Sequence, residues 1–192
     1  ETNNDIIKNM KSLKKVNEIS YFKDLINMRY EKFENNVKYI LNNNEKNIIK
    51  KIYNNIDKIY DEASCFPLSF CHGDLKSPNI FYKNDTEPIF LDWQYIHLNK
   101  GISDIAFLLI ESIDFDIITV ELVLNFYYKI QNEFHPISYD IYMKDFKNAL
   151  CSFPFFVCVW FNSESGDKLL DPVFPIKFMK NLMKYYDYYL SE

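Results

Sequence analysis

Glycine and arginine are both scarce in this 192-residue chain: its three glycines are Gly73, Gly101 and Gly166, and Arg29 is its one arginine. Three scattered glycines cannot form a glycine-rich phosphate cradle, which needs several residues without a Cβ close together. With one arginine, no basic block and a net charge of -5, the clustered contacts that grip a phosphate backbone are excluded, and nucleic acid is not an expected partner. No stretch of about 18 apolar residues occurs, and no signal peptide opens the sequence, so no membrane association is expected. The four cysteines, Cys65, Cys71, Cys151 and Cys158, include no C-x-x-C pair and sit in apolar surroundings. They read as reduced core residues of an intracellular, cytoplasmic protein.

Apolar residues are plentiful instead, at 48% of the chain with 18% aromatic, enough for a sizeable core in one domain. Helical spacing runs through most of the sequence. The pattern predicts helices over Asp5 to Val16, from a Ser20 cap to Asn42-Asn43-Asn44, and from Glu45 to Ala63. Further helices are expected from a Ser103 cap over Asp104 to Ile113, from Thr119 to Phe134, and from Ser138 through Phe161 with a bend at Pro154. Asp171-Pro172 begins a last one that ends at Leu190. The fold class is therefore α+β, mostly α.

One stretch, Phe70 to Ser112, breaks this helical pattern. Pro67 to Phe70 reads as a strand feeding a loop interrupted at Gly73 and Pro78. Asn79 to Tyr82 and Ile89 to Leu91 are short apolar runs on either side of Lys83-Asn84-Asp85-Thr86-Glu87-Pro88, which is turn chemistry. That arrangement is a small hairpin whose ends carry Asn79 and Asp92 on neighbouring strands. An amide oxygen and a carboxylate there are hard ligands of the kind Mg2+ takes, with water and substrate phosphates completing its shell. Asp74, on the loop just before, faces the same space as the natural proton acceptor for an attacking hydroxyl.

The run His72-Gly73-Asp74-Leu75, with Asn79 five positions after the aspartate, then Asp92-Trp93-Gln94 and Asp104-Ile105-Ala106, resembles the aminoglycoside phosphotransferase and choline kinase-like superfamily. Within it, the form D-W-Q followed by Gly101 and Asp104 is closest to the ecdysteroid kinase-like branches. The resemblance implies a protein-kinase-like fold, ATP and Mg2+ as cofactors, and a small-molecule hydroxyl as phosphoryl acceptor. It implies Asp74 as catalytic base, Asn79 and Asp92 as Mg2+ ligands, Asp104 as a helix-borne acid bracing the catalytic loop, and His72 as a second brace. No nucleotide loop and no strand lysine with a helix glutamate partner are recognisable, and the sequence begins at Glu1. The expectation is that residues 1–192 form the C-terminal lobe, whose partner is an N-terminal nucleotide lobe of the same polypeptide absent from this chain.

Lys76 departs from the small-molecule pattern, because D-L-K-x-x-N is the protein Ser/Thr kinase form, in which the lysine meets the transferred phosphate; a surface loop lysine is the other reading. H-G-D in place of H-R-D and D-W-Q in place of D-F-G side with small-molecule kinases. Phe156, Trp160 and Phe161 fall where the superfamily builds its acceptor pocket, though aromatics at helical spacing also build cores. His97 and His135 stand alone and read as structural or exposed. A pseudokinase that kept the fold, and a protein kinase, remain open beside the small-molecule kinase.

Overall fold

The computed structural model describes residues 13–161 and 173–190. Seven α-helices, two 3-10 turns (Val16–Glu18 and Ser77–Asn79) and four short strands lie within them: α1 Ser20–Val37, α2 Asn43–Asn54, α3 Ile56–Ala63, β1 Ser69–Cys71, β2 Ile80–Lys83, β3 Glu87–Phe90, β4 His97–Asn99, α4 Ile102–Ser112, α5 Ile117–Phe134, α6 Tyr139–Phe161 and α7 Val173–Tyr189. The architecture is mostly helical α+β with two small antiparallel sheets, which is compatible with the C-terminal lobe of a kinase. Among the described residues, no helix is long and apolar enough to cross a membrane.

Helix α6 is the axis of the core. Its Tyr142, Phe146 and Leu150 recur every fourth residue and are fully buried, and the helix packs against α1, α3, α4 and α7. Two buried tyrosines have their hydroxyls satisfied by helix carbonyls: Tyr142 donates to Leu124 O at 2.9 Å and Tyr186 to Leu150 O at 2.9 Å. Helix α4 contributes Ile102, Leu109 and Ile110, and α7 contributes Met179 and Leu182. Asn181 of α7 ties these layers together, donating to Ile110 O and Ile113 O at 2.7 and 2.8 Å and accepting from Phe115 N at 2.9 Å. It thereby closes the C-terminal end of α4, where carbonyls lack intrahelical partners.

Several helix boundaries differ from the sequence expectation, each for a local reason. Lys14 and Lys15 do not continue a helix from Asp5; Leu98 N donates to Lys14 O at 2.9 Å and Lys15 forms a parallel bridge with Leu98, so this segment lies beside β4. Residues 5–12 lie outside those described. Helix α1 stops at Val37, with Ile19 and not Ser20 at its cap position. Asn42, expected near a helix end, instead starts α2: its side chain accepts from Asn44 N and Glu45 N while Glu45 reaches back to Asn42 N. The expected Glu45–Ala63 helix divides at Asn55, whose Nδ2 donates to Lys51 O at 2.8 Å. Gly101, not Ser103, holds the cap position of α4, and Asp116, not Thr119, caps α5 by accepting from Thr119 N at 2.9 Å. Ser138 does cap α6, accepting from Ile141 N at 3.3 Å.

Sheet register places the functional loop. Strands β1 and β4 pair with Cys71 opposite His97, and β2 and β3 pair with Ile80 opposite Phe90. Asn84 and Asp85 at the hairpin tip both take positive φ, which their short polar side chains tolerate. Cysteine placement corrects the expectation of four core thiols. Cys65 is exposed, Cys71 is buried and Cys151 partly buried, all three free, while the side chain of Cys158 lies outside the described residues. Pro154, where a bend was expected, lies inside α6, which continues through it to Phe161.

Candidate active site

The loop between β1 and β2 is held from below by α4. Asp104, in the first turn of that helix, accepts from His72 N at 2.6 Å through one carboxylate oxygen and from Gly73 N at 2.9 Å through the other. Burial pushes the Asp104 carboxyl above its usual range, and these two N–H donors work against that shift. At the far end of α4, Ser112 Oγ accepts from Ser77 N at 2.8 Å. One rigid helix thus anchors the loop at its start and near its end. Nothing in the sequence marked Ser112, because an isolated serine at a helix end carries no signal.

Gly73 is where the loop must turn. Its φ is +81°, and a Cβ placed there would lie 2.3 Å from Tyr95 O, so only glycine fits. His72 is buried beside it with both ring nitrogens engaged: Nε2 lies 2.8 Å from Leu91 O, and Nδ1 accepts from Asp74 N at 3.2 Å. The ring also rests on Trp93, centroids 4.6 Å apart. Both nitrogens being committed to the backbone, His72 positions the loop and has no free nitrogen for proton transfer.

Asp74 and Asn79 are both buried and in direct contact. Asn79 Nδ2 donates to Asp74 O at 2.9 Å and to Asp74 Oδ2 at 3.1 Å. Using the nitrogen this way fixes the amide so that Oδ1 turns away from Asp74. Lys76 Nζ lies 3.0 Å from Asp74 Oδ2, and the two side chains are only 24% and 10% exposed. Lys76 is thus a member of this cluster and not a plain surface lysine.

Asp92 follows β3 at the edge of the same hairpin. Leu91 N donates to Asn79 O at 2.8 Å, which puts the residue before Asp92 directly across from Asn79. Asp92 is exposed, takes φ +61°, and has one long contact, from Gln94 Nε2 at 3.4 Å. Asn79 closes a 3-10 turn just before β2 and Asp92 lies two residues past β3, so neither sits on a strand as the sequence suggested. An amide oxygen facing away from its neighbour and an exposed carboxylate at the open end of one hairpin are still a donor set that suits Mg2+, which needs only one or two protein oxygens when phosphates supply the rest. Among the described residues, no three His, Cys, Asp or Glu side chains converge as a denser metal cage would require.

Next to the loop, His97 Nδ1 lies 2.8 Å from Tyr95 O, and burial holds its imidazole below the usual range. It is structural, as the sequence suggested. His135, by contrast, is exposed and lines a cleft of about 310 Å³ with Lys100 and Asp145, at the other end of β1 from the loop. The side chains of Phe156, Trp160 and Phe161 lie outside the described residues.

The model of the ecdysteroid kinase-like family matches residues 2–135, a span that includes the whole loop, both sheets, α4 and α5. No curated protein and no solved structure matches the chain. The matched span takes in the loop glycine, the aspartate-asparagine pair and the bracing Asp104, and the chain belongs to the ecdysteroid kinase-like family, within the superfamily of protein-kinase-like, aminoglycoside phosphotransferase and choline kinase folds.

Proposed function

We propose that the polypeptide containing this chain is an ATP-dependent phosphotransferase acting on a small-molecule hydroxyl. The observation that carries this reading is the Asp74, Lys76 and Asn79 cluster on a loop braced by Asp104. Asp74 would accept the hydroxyl proton as the acceptor oxygen forms its bond to the terminal phosphorus and ADP departs. Lys76, already beside Asp74, would turn its ammonium toward the transferring phosphoryl and offset its charge. Asn79 Oδ1 and the Asp92 carboxylate would hold Mg2+, which when bound neutralises phosphate charge. His72 and Asp104 would keep Asp74 in place, and positioning of this kind supplies much of the rate in phosphoryl transfer.

A separate nucleotide lobe elsewhere in the polypeptide belongs to this proposal. Phe81, Tyr82, Ile89, Phe90 and Leu91 on the hairpin beside the site are all exposed, which is the surface such a lobe would cover. The small-molecule acceptor is preferred on the sequence form H-G-D with D-W-Q; the Lys76 contact keeps a protein hydroxyl as the second reading.

The test uses the full-length polypeptide and labelled ATP with a panel of acceptors: choline, ethanolamine, sugars, aminoglycosides, sterols and a protein mixture. Transfer to one small molecule, lowered by about 10²- to 10⁴-fold in Asp74→Asn with nucleotide binding kept, is the expected result. Asp92→Asn should instead weaken Mg-nucleotide binding, and Lys76→Ala should slow turnover with little loss of acceptor affinity. Transfer to protein alone would establish the second reading. Nucleotide binding without transfer to any acceptor would leave a pseudokinase, and wild-type rates in all three variants would place the site elsewhere.

A further inference from the structure

Helix α5 has two faces, and both are apolar. Val120 and Leu124 point into the core, with Val123, Tyr127 and Tyr128 packed beside them. Winding round the helix about Phe126, which lies roughly 140° from the direction of Val120 and Leu124, where a solvated helix carries polar residues, stand Ile118, Leu122, Phe126, Ile130 and Phe134, which are 74%, 66%, 63%, 39% and 84% exposed. They recur every fourth residue as one unbroken ridge roughly 24 Å long. No charged residue interrupts it.

We propose that this ridge is a self-association surface, through which two copies of the chain pair by antiparallel α5 helices crossing at Phe126. A two-fold axis there sets Phe126 against its counterpart, Leu122 of one copy against Ile130 of the other, and Ile118 against Phe134, so every ridge residue meets an apolar partner. Ridges of this spacing from two helices run parallel to each other at a crossing of about -50°, the commonest of globular proteins. Antiparallel helices also oppose their macrodipoles favourably.

The area supports a second copy as occupant. Counting about 200 Å² for a fully exposed side chain of this size, the ridge offers roughly 650 Å² of apolar surface per chain, against the 800 Å² or so per partner of a stable interface. Exposed Thr119, Asn125 and Lys129 on the flank supply the remainder and a polar rim. An anionic membrane surface fits less well, since the charged residues of α5 and its cap are Asp116, Glu121, Lys129 and Glu133, three acids to one base.

Sedimentation of the full polypeptide between about 1 and 100 μM should show a monomer-dimer equilibrium, since association follows mass action. Phe126→Glu should weaken the dimer by at least about 100-fold while leaving circular dichroism and the thermal midpoint of the diluted monomer unchanged, because the side chain is exposed. In a Cys65→Ser background, Phe126→Cys should form a disulfide-linked dimer under mild oxidation, and Phe81→Cys on the hairpin should not. A monomer throughout the concentration range overturns the proposal, and leaves the ridge to a different protein or to a lipid surface. A dimer that Phe126→Glu does not disturb, or that Phe81→Cys cross-links and Phe126→Cys does not, also overturns it.

Discussion

Asn79 donates the same amide nitrogen to Asp74 twice, to the carbonyl at 2.9 Å and to the carboxylate at 3.1 Å. Asn79 is therefore a structural donor as well as a candidate ligand, and the roles separate experimentally. Asn79→Asp adds charge toward a metal but turns two attractive contacts into oxygen-oxygen repulsion. In EDTA, thermal denaturation should show a loss of about 1–3 kcal/mol for Asn79→Asp. A variant as stable as the parent without metal would reduce Asn79 to a ligand only.

Asp104 is the sole described acceptor for the His72 and Gly73 amides. Asp104→Ala leaves both donors without a partner in the partly buried interior and should cost about 2–4 kcal/mol. Asp104→Asn keeps one acceptor oxygen and should cost less. Chemical denaturation of the three proteins, compared with amide exchange at His72 and Gly73, checks the order; equal losses in the two variants would deny the two-oxygen arrangement.

Stability should fall on mild acidification because of His97. Burial depresses its folded-state pKa, while the unfolded side chain titrates near 6.5. As pH drops through that value, only the unfolded chain takes up the proton, so stability is lost at up to about 1.4 kcal/mol per pH unit until the folded pKa is reached. Asp104 has the opposite sign: its folded carboxyl is raised, so it adds stability as pH falls toward the ordinary carboxylate range. His97→Gln should flatten the profile below about pH 6.5; an unchanged slope would assign it to another group.

Thiol reactivity should separate the cysteines. Burial, with the nearby Asp104 charge, pushes the Cys71 thiol up to about 12, and burial pushes Cys151 to about 11, so neither offers thiolate at neutral pH. A disulfide reagent on the native protein should label exposed Cys65 promptly and reach Cys71 and Cys151 only on unfolding, as peptide mapping would show.

Much of the site was legible because its loop is punctuated by residues with few roles. Gly73, Pro78 and the turn Asn84-Asp85 mark direction changes that other residues make poorly, and the acids between them are spaced by the strands they join. Helix ends were harder. Asparagine serves both ends of a helix, so Asn42 looked like a stop where it is a start, and Asp116 and Thr119 were equally good caps three positions apart. Lys14 and Lys15 continue a helical pattern, yet their backbone partner, Leu98, is distant in sequence, and local periodicity cannot report it. Ser112 and Asn181 act by hydrogen-bonding far segments of chain and carry no pattern at all. Exposure was the other gap: the ridge on α5 scans as ordinary helix, and only the assembled fold shows which of its two apolar faces has nothing against it among the described residues.

The left-handed backbone at Asp92 bears on how this chain can drift. A side-chain-bearing residue at φ +61° sits about 1 kcal/mol above glycine there, less for aspartate than for most. Asp92→Gly would accordingly relax the backbone after β3 and raise the melting temperature while removing the carboxylate. At this position random substitution has a downhill exit toward a firmer protein without the carboxylate proposed to hold Mg2+, and a lineage that holds aspartate here does so against that slope.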